Sequence, residues 1–139
     1  MRDQASFVTE GGMPNTDYTF QNRVVAPDAT GTTVSEEGNA VAAADVSSIT
    51  YTVYDYDSAT PSTPVVSATS LTAATVFITL VDDNAWNKDS TGCNFRHTFG
   101  SSVFTSEKHT YGIVYTLTLT GGKKRVWQWK HYTFAVTPS

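Results

Sequence analysis

The chain is predicted to fold as an all-β sandwich, and three observations support this fold class. Its 139 residues include 23 Thr and 15 Val but only 4 Leu, and β-branched side chains favour a pleated strand over a helix. No apolar period of 3.6 residues persists for three turns. Residues 111–119 instead alternate at a period of two, which is typical of a strand with one face on a core. The length suits one domain.

Short strand candidates recur between turn signals along the chain. Residues 65–68 lie beside two prolines and are predicted to form an edge strand, because proline cannot donate to a β-ladder. Gly121-Gly122 predicts a tight hairpin between the last two strands. The strand candidates are 23–26, 49–54, 65–68, 76–81, 94–99, 111–119 and 124–136. The predicted core residues are Ile49, Tyr51, Val53, Val76, Ile78, Leu80, Ile113, Tyr115, Leu117 and Leu119.

This series of about seven strands, with turn residues between them, indicates an immunoglobulin-like antiparallel β-sandwich. Tyr111 opens its strand directly after the polar turn at 105–108. A tyrosine in that place resembles a tyrosine corner, in which the hydroxyl bonds to nearby backbone. It is also compatible with a simple core position.

Residues 1–22 differ from the rest of the chain and are predicted to form an extended N-terminal arm. They are polar and interrupted by Gly and Pro, with Phe7, Val8, Tyr18 and Phe20 at irregular intervals. We expect these four apolar side chains to bind a partner, although a partly disordered terminus fits equally well. Residues 23–139 would then form the sandwich domain.

Trp127 and Trp129 are two residues apart, so on a strand they share one face. Burial in a core or between subunits is the commoner fate of such a pair, and stacking on sugar rings is the alternative. Tyr132, Phe134 and Val136 carry the opposite parity, which predicts a bulge or a change of face near residues 130–131.

No residue pattern in the chain predicts catalysis. The loop carboxylates lack EF-hand spacing and the histidines lack paired spacing, so we predict no metal and no cofactor. Cys93 has no assignable base or oxyanion site, and there is no Gly-x-Ser-x-Gly turn or phosphate-binding glycine loop, so we expect no enzyme. The residues considered are Asp55, Asp57, Asp82, Asp83, Asp89, Cys93, His97, His109 and His131.

The charge distribution and the cysteine content narrow the classes of protein to which the chain could belong. The formal net charge is −4, with an acidic first half and a net charge of +5 over residues 90–139; this asymmetry suits either a solvated turn or docking to a partner. Cys93 is the only cysteine, so no disulfide forms within one chain. There is no apolar run of 18 residues and no signal-peptide pattern. We therefore expect a protein made in the cytoplasm that binds neither membrane nor nucleic acid.

Three motifs occur between residue 49 and the C-terminus: Ile49-x-Tyr51-x-Val53-Tyr54-Asp55, the element from Trp86 to His97, and Tyr111-x-x-x-Tyr115 with its glycine hairpin. With these motifs, this part of the chain resembles small immunoglobulin-like structural proteins of tailed bacteriophages. The resemblance covers about 90 residues, and Cys93 stands where a tyrosine is expected.

The resemblance implies a virion structural protein, made in the host cytoplasm and present in multiple symmetric copies. Its partners would be the major capsid protein or other virion proteins. A capsid decoration or cement role is favoured, and a neck or tail accessory protein is the alternative. A carbohydrate-binding sandwich that uses Trp127 and Trp129 is the alternative from a different class.

Overall fold

The chain forms two β-sheets packed face to face in the computed structural model, which describes residues 7–24, 41–81 and 93–136. The predicted all-β class is confirmed. The strands are β1 (Phe7–Gly12), β2 (Tyr18–Asn22), β3 (Val46–Asp55), β4 (Pro64–Ser70), β5 (Phe77–Val81), β6 (Cys93–Phe99), β7 (Thr110–Leu119) and β8 (Lys124–Thr133). A 3-10 turn at Ala43–Asp45 and the four-residue helix α1 (Ala73–Val76) are the described helical elements.

One sheet has five strands in the order β1-β8-β7-β3-β4, and the other has three in the order β2-β6-β5. The strand β4 lies at a sheet edge, as its neighbouring prolines predict. The strand β1 runs parallel to β8, whereas the other paired strands are antiparallel. The prediction of a wholly antiparallel sandwich is therefore wrong at the β1 edge.

The hairpin between β7 and β8 forms where the two glycines predict it. Gly122 has a φ of 89°, a conformation that glycine adopts without steric cost. The Leu119 amide donates to the Lys123 carbonyl at 2.8 Å, and Thr118 pairs with Lys124 at the end of the ladder. This register places Tyr115 opposite Trp127 and Ile113 opposite Trp129.

The core lies between the sheets and is rich in aromatic rings. Leu80 has its side chain outside the described part of the structure. Val76 is buried but belongs to α1, so the strand after it is shorter than predicted. Of the other predicted core residues, Ile49, Val53, Ile113, Tyr115, Leu117 and Leu119 are buried, and Tyr51 and Ile78 are half-buried.

Of the predicted N-terminal arm, residues 7–22 belong to the sandwich, and residues 1–6 lie outside the described residues. Residues 7–12 are a strand of the five-stranded sheet and residues 18–22 are a strand of the three-stranded sheet. The apolar spacing looked irregular because the chain crosses between sheets at residues 13–17 and the period restarts there. Within β2 the alternation is regular, with Phe20 and Asn22 turned into the core.

The predicted change of face near residues 130–131 does not occur. The strand β8 keeps one parity throughout, with Trp127, Trp129, His131 and Thr133 all buried. Tyr132 therefore points away from the core and is 37% exposed.

Candidate functional site

The two tryptophans of β8 are core residues rather than a ligand platform. Trp127 is 3% exposed and Trp129 is 1% exposed. Both indole Nε1 groups donate to the same Asn22 Oδ1, at 3.0 and 2.8 Å. Neither ring offers a free face to a sugar, and neither is open to a partner protein.

Of the four predicted partner-binding residues of the N-terminal segment, the structure describes the side chains of Phe20 and Tyr18, and both pack against the core. Phe20 is 1% exposed and packs between Trp129 and Phe99. Tyr18 is half-buried and packs against the core. Phe7 and Val8 lie in β1, and their side chains are outside the described part of the structure.

His97 is a packed and hydrogen-bonded histidine, as its position between phenylalanines predicts. Its Nδ1 lies 2.8 Å from the Tyr115 hydroxyl, and its ring contacts Tyr51 and Phe99. Burial lowers the pKa of His97 to about 4. Burial, and secondarily the Tyr51 phenol, raise the pKa of Tyr115 well above its usual value.

His131 is fully buried, and neither of its ring nitrogens has a hydrogen-bond partner. Its ring lies 4.5 Å from that of Tyr18 and 4.6 Å from that of Phe104, measured between centroids. Burial lowers the pKa of His131 to about 4, because the aromatic surroundings cannot solvate a charged ring. The neutral imidazole therefore acts as a core side chain.

His109 joins the end of β3 to the start of β7 through a carboxylate. Its Nδ1 lies 2.7 and 2.9 Å from the two oxygens of Asp55. The Asp55 Oδ1 also accepts the Asp57 amide, and the Asp57 carboxylate accepts the Thr110 amide at 2.7 Å. Within the described residues no group of three His, Cys, Asp or Glu side chains has the arrangement of a metal site. Asp82, Asp83 and Asp89 lie outside the described residues.

The predicted tyrosine corner is confirmed. Tyr111 is 2% exposed, and its hydroxyl accepts the Ser106 amide at 3.0 Å. The bond ties the turn before β7 to the core, and the buried tyrosine offers no surface to a ligand.

On β2 and β6, the solvent-facing side of the three-stranded sheet carries polar side chains that are bonded to one another. Thr19 and Thr98 form a cross-strand hydroxyl pair at 2.7 Å. The Arg96 Nε donates to the Gln21 Oε1 at 2.7 Å. These side chains satisfy one another, as on an ordinary solvated surface.

The solvent-facing side of the five-stranded sheet, which we call the outer face, is different. All the large hydrophobic side chains that are exposed in the described residues lie on its strands or within three residues of their ends. Exposed apolar side chains that are concentrated on one sheet commonly mark a protein–protein contact. These side chains are Met13, Tyr56, Val65, Val126, Tyr132, Phe134 and Val136.

Tyr56 covers the middle of the outer face next to β7. Its ring lies over Gly112, where an added Cβ would overlap the phenol oxygen. Gln128 donates its amide to the Tyr56 hydroxyl, and the ring of Tyr54 runs parallel to that of Tyr56, with the centroids 6.4 Å apart. Gly112 is required here because any side chain would displace the tyrosine.

A second aromatic pair lies where β1 and β8 end. The Tyr132 and Phe134 rings meet edge to face at 5.6 Å. The Phe134 amide donates to the Gly12 carbonyl at 2.9 Å, and its ring lies over Gly11. The sequence contained the signal for this surface in the parity of Tyr132, Phe134 and Val136, which we interpreted as a change of face near residues 130–131.

No family model matches the chain, and no curated protein and no solved structure matches it either. Among the described residues, no helix is long and apolar enough to cross a membrane.

Proposed function

We propose that the chain is a structural protein of a tailed bacteriophage particle and binds neighbouring virion proteins through the outer face. The observation that carries this proposal is the unequal distribution of exposed apolar side chains between the two sheets. Removing apolar surface from water is favourable. A chain that exposes apolar side chains on a single side is therefore suited to permanent contact with a neighbour.

The strand order supports the immunoglobulin-like character of the proposed family. In a variable-type immunoglobulin sandwich, strands G, F, C and C′ form one sheet and strands B, E and D form part of the other. The strands β8, β7, β3 and β4 follow the first order, and β2, β6 and β5 follow the second. Tyr111 stands near the start of the strand that corresponds to F, where such sandwiches carry the tyrosine corner.

Within the particle, decoration of the capsid is the role that we favour, and a neck or tail position is the alternative. Both roles use the same surface against other virion proteins in repeated symmetric copies. The carbohydrate-binding alternative depended on accessible Trp127 and Trp129, and the burial of both rings removes its basis.

The test is incorporation into particles of the phage that encodes the chain. We expect the protein in purified particles by immunoblot and by immunogold labelling. Gold over the whole head supports decoration, and gold at one vertex or along the tail supports the alternative. Particles that lack the protein would refute the virion role.

A matched pair of variants connects the role to the surface. Phe134→Asp places a charge on the outer face, and Thr98→Asp places the same charge on the polar side of the other sheet. We expect only Phe134→Asp to reduce incorporation. Equal incorporation of both variants would show that the outer face is not the contact.

A further inference from the structure

We propose that the outer face binds a second copy of this chain, so that two sandwiches pack face to face through their five-stranded sheets. The inference deepens the proposed function, since it names the first occupant of the same surface. It concerns the isolated protein in solution and is therefore tested separately from incorporation into a particle.

The centre of the outer face is uncharged and suited to pack against itself. One cross-strand row there consists of Ser70, Thr50, Thr116 and Val126, which are paired in register across β4, β3, β7 and β8. The next row contains Thr52, Val114 and Gln128. Burying these uncharged groups against identical groups strands no charge.

The size of the outer face is close to what a dimer needs. Five strands with a spacing of about 4.8 Å, each up to about 33 Å long, give a face of roughly 600 Å². Stable interfaces bury roughly 800 Å² per partner, and weaker specific ones bury less. Two twisted sheets can meet face to face at about −30°, with their side chains interdigitated. We therefore expect a reversible dimer with a dissociation constant in the micromolar range.

The charges on these strands distinguish a second copy from an acidic partner. The strands β3, β4, β7 and β8 contain one acid, Asp55, which is buried and bonded to His109. Their basic residues are Lys124, Arg125 and Lys130, all on β8. The fifth strand, β1, contains Glu10, whose side chain lies outside the described part of the structure. Docking to an acidic partner would weaken as salt screens the attraction. A contact between two copies would not weaken as salt is raised, because uncharged side chains form it.

The experiment is sedimentation equilibrium of the full-length protein across the micromolar range. We expect the mass to rise from one chain to two with concentration. We also expect the association to hold or strengthen when NaCl is raised from about 0.05 to about 0.5 M. A monomer at every concentration would overturn the inference, and so would a dimer that dissociates in salt.

The variants Val126→Lys and Thr98→Lys place the same side chain on an exposed strand position of each sheet. Val126 is 52% exposed on the outer face, and Thr98 lies on the polar side of the three-stranded sheet. We expect Val126→Lys to raise the dissociation constant at least about tenfold, because like charges would be brought together in a desolvated contact, and Thr98→Lys to leave it unchanged. Equal effects would overturn the inference.

Val65→Lys on the edge strand β4 keeps the test decisive if Val126→Lys fails to fold, since Val65 is 50% exposed and is flanked by solvent. It should also weaken the dimer, and an unchanged dissociation constant would count against the inference.

A protein that dimerises as described but is missing from particles would refute only the virion role. A monomer that is still incorporated would refute only the dimer.

Discussion

Two asparagines each satisfy several buried polar groups of the core. The Asn94 side chain accepts the Val24 amide at 2.7 Å and donates to the Val24 and Val41 carbonyls at 2.9 and 2.8 Å. The Asn22 Oδ1 accepts both indole N–H groups of β8. His131 is the opposite case, because its two ring nitrogens are buried without partners. The two asparagines stabilise the fold through these hydrogen bonds, whereas the histidine without partners destabilises it.

Asn22→Ala is expected to be strongly destabilising. It would leave two buried indole donors without an acceptor, at a cost of about 2–6 kcal/mol in total. Chemical denaturation would measure this loss of unfolding free energy. Thr19→Ala, on the same strand but facing solvent, is the control and should change stability by about 0.5 kcal/mol or less. Similar losses for the two variants would contradict the shared role of Asn22.

The buried histidines should make stability fall in mild acid. Burial lowers the pKa of His97 and of His131 to about 4, so between pH 6.5 and 4 the unfolded chain binds protons that the folded chain does not. Stability is therefore fully present above pH 6.5 and is lost as the pH falls toward 4, by roughly 2–3 kcal/mol for each histidine.

His131→Leu isolates the contribution of one ring. Removing a buried polar group that has no partner should leave stability at about pH 7 unchanged or higher and should reduce its decline in acid. His97→Leu is the comparison, because it strands the buried Tyr115 hydroxyl and should cost about 1–3 kcal/mol at about pH 7. An unaltered pH profile for His131→Leu would show that this ring is not the acid-sensitive group. Urea unfolding at about pH 7 and at about pH 4 would measure both effects.

At the scale of elements, the first two strands link the sheets. The strand β1 closes the β8 edge of the five-stranded sheet, and β2 pairs with β6 in the other. The turn between them is held by the Asn15 amide, which donates to the Phe104 carbonyl at 2.8 Å. The N-terminal segment is therefore structurally part of the domain.

Deletion of residues 1–22 is expected to abolish cooperative folding. The deletion removes both strands, the Phe20 ring and the acceptor of both indoles. Phe20→Ala is the smaller counterpart and should cost about 3–5 kcal/mol, because it leaves a cavity among aromatic side chains. Thermal unfolding followed by circular dichroism would measure both. A truncated protein with an unchanged midpoint would mean that the segment contributes nothing to the core, as our interpretation from sequence assumed.

At the scale of the whole molecule, the exposed large apolar side chains of the described residues lie on one of the two sheets. The three-stranded sheet presents bonded polar pairs such as Thr19 with Thr98 and Gln21 with Arg96. The five-stranded sheet presents Val126, Tyr132 and Phe134 to solvent. A monomer that never met a partner would gain nothing from this asymmetry, and both proposals, the virion contact and the dimer, follow from it.

The β class, the glycine hairpin and the inward faces of β3 and β7 could be predicted from the sequence. Each of these depends on a period of two or on the backbone freedom of a turn, both of which are local properties. The tertiary structure alone decided which parity of β8 faces inward. Both parities carry large aromatic side chains, so the choice rested on the acceptor that Asn22 provides from the other sheet. It also decided the place of residues 7–22, because their partners β8 and β6 are distant in sequence. The candidate surface followed from that choice of parity: with the tryptophans inside, Tyr132 and Phe134 had to face solvent.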